Sequence, residues 1–267
     1  MQTKAVFFDI DGTLINIMEG RPQMTEPVRR AVRHLHEAGH HTFIASGRPF
    51  AYLDPELTQG GDFDGFVLMN GALVLCGGRQ VFAAPLPRQT VKDIVALTEQ
   101  CGVEYILEGA ETVYLHPEFS QMFEFCHSID IDTRPFVREF SLDEIDVYKL
   151  EFISREENGN GLFHRLLAWP GMTGLMDPYH KKNLELYAKS VTKGSGILHA
   201  LDALGIPRQN SFAFGDGLND IEMMQTVGTG IAMGNAQPEV KRIAGDVVPS
   251  VDEDGVAWGI EHIILED

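Results

Sequence analysis

Positive charge is what this 267-residue sequence is short of: 21 lysines and arginines face 39 aspartates and glutamates, a formal net charge of −18. Nucleic-acid backbones attract positive surfaces, so this balance argues against a nucleic-acid partner. An anionic ligand would have to be caught by a local positive cluster working against the field of the whole chain. Cysteine is scarce too. Cys76, Cys101 and Cys126 are odd in number, far apart and in no metal-ligand spacing, and they read as ordinary reduced thiols. No apolar run approaches the ~18 residues of a membrane span, and the opening MQTKAVFFDID has no signal-peptide layout. The expectation is a cytoplasmic protein with no membrane partner, and a monomer or homodimer. Internal repeats and low-complexity tracts are absent. What is present is an ordinary globular composition, 44% apolar and 22% charged, long enough for one large domain or two smaller ones.

The first and last thirds share one grammar. Val6-Phe7-Phe8 is a short apolar strand that runs into Asp9, Asp11, Gly12 and Thr13. Thr25 is a plausible N-cap, and Val28, Ala31, Val32 and Leu35 follow helical spacing until Gly39. A strand over 42–45 ends in Ser46-Gly47-Arg48-Pro49, and one over 66–69 ends in Asn70-Gly71. A hairpin over 73–75 and 80–83 follows. Later, Lys193 opens a helix carrying Ile197, Leu198, Leu201 and Leu204, and the strand 211–214 runs into Gly215-Asp216-Gly217. Compact strand–helix–strand units of this kind predict an α/β fold with a parallel sheet. Between about 83 and 186 the pattern changes to paired strands between helices, which predicts an α+β domain with a largely antiparallel sheet. The division expected is therefore 1–82 and 187–267 for a discontinuous core, and 83–186 for an insertion.

In open parallel sheets ligands bind outside the carboxyl ends of the strands. The strand reading puts Asp9, Asp11, Ser46, Arg48, Asn70, Asp216, Asn219 and Asp220 there, with Lys193 joining from a helix start. Two carboxylates at the end of one buried strand raise each other's cost of ionisation and need compensation. An oxygen-rich carboxylate cluster without His or Cys favours a hard divalent cation, Mg2+ over zinc. Lys193, Ser46 and backbone N–H groups around Gly12 and Thr13 would form an anion cradle beside it. Metal, cradle and a carboxylate nucleophile together describe phosphoryl transfer through an aspartyl-phosphate.

DIDGT at 9–13, ASGR at 45–48, Lys193 and GDGLND at 215–220 resemble the four motifs of the haloacid dehalogenase (HAD) superfamily. NGA at 70–72, the long insertion and VTKGSGI at 191–197 look like its Cof-type phosphatase branch, subfamily IIB. The resemblance covers nearly the whole chain. It implies a Rossmann-like parallel-sheet core with an inserted α+β cap domain of the C2 type, which closes over the site and selects the leaving group. It makes Asp9 the nucleophile and Asp11 the general acid and then base. Ser46 and Lys193 would hold the phosphoryl group, with Gly12, Thr13, Gly47, Arg48, Asn70 and Asn219 around it. Asp216 would ligate Mg2+ with the Asp9 carboxylate and the Asp11 carbonyl, while Asp220 and Asn219 support the metal and Lys193. The activity implied is Mg2+-dependent hydrolysis of a small phosphorylated metabolite, such as a sugar phosphate. A sugar phosphomutase uses the same core. A non-enzymatic alternative is a phospho-ligand sensor or a receiver module with similar residues, of which a receiver lacks both a general acid like Asp11 and the long insertion.

Simpler roles stand beside these. Ser46 also suits a helix N-cap, Arg48 a structural ion pair, and Asn70-Gly71 a turn. His34, His36, His40 and His41 crowd one helix end, where favourable cation placement explains them without a metal.

Overall fold

The computed structural model describes residues 2–60, 62–129, 131–177 and 179–266. The chain divides into two compact units. Met1–Gly47, Asp54–Ala83 and Thr192–Asp267 form the first; Arg48–Leu53 and Ala84–Val191 form the second.

The first unit is built on β1 (Ala5–Phe8), β2 (His41–Ala45), β3 (Gly65–Leu68), β4 (Leu73–Cys76) and β5 (Arg79–Ala83) from the first part of the chain. The last part adds three more strands, at 211–215, 229–232 and 246–247. Among the described residues these eight strands form one sheet, in which every pair is parallel except β3–β4 and β4–β5. β1 lies in the interior, paired with β2 on one side and with 211–215 on the other. All four of its residues are buried, as a strand covered on both faces must be. Phe7 packs on Phe43 at 5.1 Å between ring centres, and Phe8 stacks on Phe214 at 5.3 Å.

Helix α1 (Glu26–Glu37) starts where the sequence places it. The Thr25 hydroxyl accepts the Val28 N–H at 3.4 Å, and Val28, Ala31, Val32 and Leu35 form the buried stripe. Beyond it, α2 (Pro55–Gln59) is a short helix before β3.

In the second unit α3 (Arg88–Gln100), β6 (Glu104–Glu108), β7 (Val113–Tyr114), α4 (Ser120–Ser128), β8 (Lys149–Ile153), α5 (Leu162–Leu167), β9 (Met172–Met176) and β10 (Asn183–Ala188) follow in order. The five strands form a wholly antiparallel sheet in the order β7-β6-β8-β10-β9. Tyr105, Leu107, Leu150, Phe152, Leu184 and Leu186 alternate onto one face and pack against α3 and α5. The opposite face carries Ile106 against Met122 and Cys126 of α4. It also buries charge: Glu108 pairs in register with Lys149, and Glu151 with Glu185. Lys149 Nζ lies 3.1 Å from a carboxylate oxygen of both Glu108 and Glu185. Burial pushes the Glu108 carboxyl up to about 8, with Lys149 pulling down and Glu151 and Glu185 pushing further up.

The rest of the first unit comprises α6 (Lys193–Leu204), β11 (Ser211–Gly215), α7 (Ile221–Thr226), β12 (Thr229–Ala232), α8 (Pro238–Ile243), β13 (Asp246–Val247) and α9 (Gly255–Gly259). A capping box opens α6, in which Thr192 Oγ1 accepts from Ser195 N–H at 3.1 Å and Ser195 Oγ accepts from Thr192 N–H at 2.9 Å. Its buried face is Ile197, Ala200 and Leu201. Leu198, placed on the apolar side in the sequence reading, is 45% exposed. Consecutive helical residues point about 100° apart, so Leu198 falls off the stripe that Ile197 defines. Three boundaries also differ from the sequence reading. β3 stops at Leu68 because Met69 and Asn70 turn left-handed (φ 49° and 55°). The second unit continues to Val191, since β10 still pairs Ala188 with Met172. Residues 48–53 group with that unit rather than with the β2 they follow.

Candidate active site

Neighbouring parallel strands deliver polar residues to one rim. Asp9 follows β1, and its N–H extends the ladder to Phe214 O at 3.0 Å. Ser46 follows β2 and donates its N–H to Val67 O at 2.8 Å; Asn70 follows β3 and donates its N–H to Ser46 O at 3.1 Å. Asp216 and Asp220 follow β11. Asp9, Ser46, Asn70, Lys193 and Asp220 are all buried, although each is polar or charged. Groups of this kind go inside only when paired or when a ligand needs them.

Lys193 is the centre of the cluster. It sits in the first turn of α6, where a cation opposes the helix dipole. Its Nζ donates to Asp9 Oδ1 at 2.5 Å and to Asp220 Oδ1 at 2.6 Å. Asp220 Oδ2 accepts the backbone N–H groups of Asp216 and Gly217, both at 2.9 Å. Both oxygens of Asp220 are therefore engaged in fixing Lys193 and the loop after β11. Asp216 Oδ1 accepts the Thr13 hydroxyl at 3.4 Å. Gly12 lies against the same carboxylate, so closely that a Cβ there would overlap it, and its φ of +84° already disfavours other residues.

The N–H groups expected to cradle an anion are used elsewhere. Gly12 N–H donates to Ile15 O at 2.8 Å and Thr13 N–H to Ile10 O at 3.2 Å, because the turn after β1 closes on itself. Lys193, bonded to Asp9, supplies a charged donor on the rim instead. Asp11 is exposed, on the turn beside Asp9. Asn219 lies on the turn after Gly217, its amide oxygen where a Cβ on Gly217 would fall. Gly47 abuts the Asn70 amide. Arg48 belongs to the second unit, where its guanidinium donates to Tyr52 O at 3.4 Å.

Sequence reading missed Asn235. Its amide donates to Gly12 O at 2.8 Å and reaches Asp216 Oδ2 at 3.5 Å, while its oxygen accepts the Val251 N–H at 2.8 Å. One side chain thus ties the turn after β1 to the loops after β11 and β13. The signal was present as a Gly-Asn pair after the apolar run 230–233, the same strand-end position that exposed the other candidates.

The charges do not balance. Burial pushes the Asp9 carboxyl well above its ordinary value; Lys193 pulls it down, and Asp220 and Asp11 push it up again. Burial, followed by the charge of Asp220, raises Asp216 to about 7. Burial alone would lower Lys193, but Asp220 and Asp9 outweigh it and hold the ammonium above its usual range. Burial is the larger cause for the two acids, and the carboxylates crowded around a single cation push them further while holding the lysine up. Asp9, Asp216 and Asp220 each bring an oxygen within 4.8 Å of the others. The donor set is carboxylate oxygen alone, the chemistry of a hard divalent cation, and the uncompensated charge is of the sign such an ion would neutralise.

Comparison with known proteins agrees with this geometry. The profile of the haloacid dehalogenase-like hydrolase family matches residues 6–260. YkrA of Bacillus subtilis (strain 168), provisionally named a phosphatase, is 31% identical over 99% of both chains. A hypothetical protein from Geobacillus kaustophilus HTA426 superposes with a TM-score of 0.87 at 30% identity, over 98% of this chain and 99% of the other. The HAD subclass IIB sugar phosphatase BT4131 does so with a TM-score of 0.81 at 29% identity, over 97% and 98%. With motifs, sheet order and charged rim in agreement, the chain belongs to the haloacid dehalogenase-like hydrolases.

Proposed function

We propose that the protein is a Mg2+-dependent phosphatase that hydrolyses a small phosphorylated metabolite, a sugar phosphate or similar phosphomonoester, through an aspartyl-phosphate at Asp9. The observation that carries this reading is the buried Asp9–Lys193–Asp220 triad beside Asp216. Asp9 and Asp216 would hold the cation, joined by the Asp11 carbonyl, and Asp220 would support them. The bound ion would neutralise the carboxylates and the phosphoryl oxygens, so that an anionic nucleophile can approach an anionic substrate.

In the first step an Asp9 oxygen forms a bond to phosphorus and the ester P–O bond breaks. Asp11, exposed at the turn, gives its proton to the departing alcohol oxygen. In the second step Asp11 takes a proton from water, whose oxygen bonds to phosphorus as the Asp9–phosphorus bond breaks. Lys193 keeps Asp9 oriented throughout. An ammonium has three donors, and Asp9 and Asp220 take two, which leaves one N–H for a phosphoryl oxygen. The Ser46 hydroxyl and the Gly47 backbone would flank the same group.

Asp9→Asn should stop phosphate release from p-nitrophenyl phosphate while the circular dichroism spectrum stays native. Robust turnover by the folded variant would remove Asp9 from the mechanism.

A further inference from the structure

Asn70 is a buried polar residue of the rim that the scheme above leaves without a task, and it is built at a cost. It is 3% exposed, and among the described residues neither its amide nitrogen nor its amide oxygen has a hydrogen-bond partner. A buried amide with both ends unmet is destabilising. Its backbone adds to the cost, since Met69 and Asn70 are both left-handed, with φ of 49° and 55°. Consecutive non-glycine residues in that region are strained and collect where function demands them.

The position is closely defined. On one side its N–H donates to Ser46 O at 3.1 Å, and its amide faces Gly47, where a Cβ would lie 3.2 Å from Oδ1. On the other side Gly71 presses on the Thr192 carbonyl, the residue before Lys193. The amide therefore stands on the same rim as Asp9, between the turn after β2 and the start of α6.

We infer that Asn70 is a substrate-binding residue that selects phosphomonoesters carrying a hydroxyl on the carbon next to the ester carbon. This rests on the phosphatase reading above and names its substrate class. An amide offers one donor end and one acceptor end, whichever way it is turned. The donor end suits a phosphoryl or ester oxygen held beside Ser46. The acceptor end cannot face such an oxygen, and a phosphomonoester is largely a dianion at neutral pH with no proton to offer. The second partner must come from the alcohol part, close to the phosphorus, and a vicinal hydroxyl meets both requirements. A site built to bond a hydroxyl rejects the analogue that lacks it, because its own polar group is then left buried and unmet.

The test compares glycerol 3-phosphate with propyl phosphate, which lacks the hydroxyls, in wild type, Asn70→Gly and Asn70→Asp, with Mg2+ present. Glycine accepts the left-handed backbone, so Asn70→Gly removes the amide without adding strain. Wild type should favour glycerol 3-phosphate in kcat/KM. Asn70→Gly should lose roughly 10- to 100-fold on glycerol 3-phosphate and less on propyl phosphate, so that the preference collapses. Its melting temperature should equal or exceed that of wild type, because an unmet buried amide is gone. Asn70→Asp, which puts a carboxylate beside the phosphoryl group, should be slow on both. An Asn70→Gly protein that melts several degrees lower and keeps the preference makes Asn70 a structural turn and overturns the inference. So does an Asn70→Asp protein as fast as wild type on glycerol 3-phosphate. Asp9→Asn measured alongside separates the two readings: if it still releases phosphate, the mechanism fails, whereas if it is dead and Asn70→Gly retains the preference, only the role of Asn70 fails.

Discussion

A single lysine decides the character of the site. Lys193 is buried, bridges two carboxylates and lies within the field of a third. Removing its partner Asp9 as a charge lessens a repulsion that Lys193 only partly offsets, so Asp9→Asn should lose turnover without losing stability in urea. A second buried lysine, Lys149, organises a similar excess of acid in the second unit, and there pH becomes the probe. Glu108 has an ordinary value of 4.5 and a folded value of about 8. Its folded value is the higher one, so between these limits the folded state holds a proton that the unfolded state has released. Stability from this group therefore falls as pH rises through that window, and the loss is complete above about pH 8. Glu108→Gln should be more stable than wild type at pH 9, by at most roughly 5 kcal/mol, with the advantage fading toward pH 4.5. Urea titrations at pH 5, 7 and 9 read this directly. A stability difference that does not change with pH would contradict it.

At the scale of elements, close backbone approach sets the geometry. Gly71 has φ +97°, and a Cβ there would overlap the Thr192 carbonyl at the entry to α6. Gly39 shares the left-handed conformation (φ +81°) but faces open space. Gly39→Ala should thus cost only the conformational term, about 1 kcal/mol, with kcat/KM intact. Gly71→Ala should cost roughly 2–4 kcal/mol and lower kcat/KM, because the residue displaced adjoins Lys193. Equal stability for the two variants would show that the contact at α6 is not a constraint. The same elements show what a sequence can reveal. α1 was legible because a cap, a helical stripe and a terminal glycine agree, and the strands leading to Asp9, Ser46 and Asp216 because apolar runs stop at turn residues. Met69 was not legible. It reads as one more apolar strand residue, and nothing in its identity announces the left-handed turn that it opens. The cross-links made by Asn235 were equally hidden, since hydrogen bonds between loops distant in sequence leave no local period. The spent N–H groups of Gly12 and Thr13 depend on how the turn closes, which residue identity alone does not determine.

For the molecule as a whole, the net charge of −18 predicts that a cation does more than assist chemistry. An ion bound by Asp9 and Asp216 in the folded state alone stabilises the protein by mass action, about 2.7 kcal/mol at one hundred times its dissociation constant. Mg2+ should raise the melting temperature of wild type and not of Asp216→Asn, and chelation should abolish phosphate release. Ca2+ should inhibit, since its looser and larger coordination shell misplaces the nucleophile. Full activity in calcium would count against the Mg2+ assignment.

The covalent intermediate itself is the decisive quantity. Turning over p-nitrophenyl phosphate, the protein is quenched with borohydride, digested with trypsin, and the peptide spanning residues 5–29 is read by mass spectrometry, since Pro22 blocks cleavage after Arg21. The aspartyl-phosphate route predicts that the acyl phosphate at Asp9 is reduced, converting that residue to homoserine, with no conversion when substrate is omitted. Unmodified Asp9 in a protein that is turning over, or reduction at a different carboxylate, would contradict it.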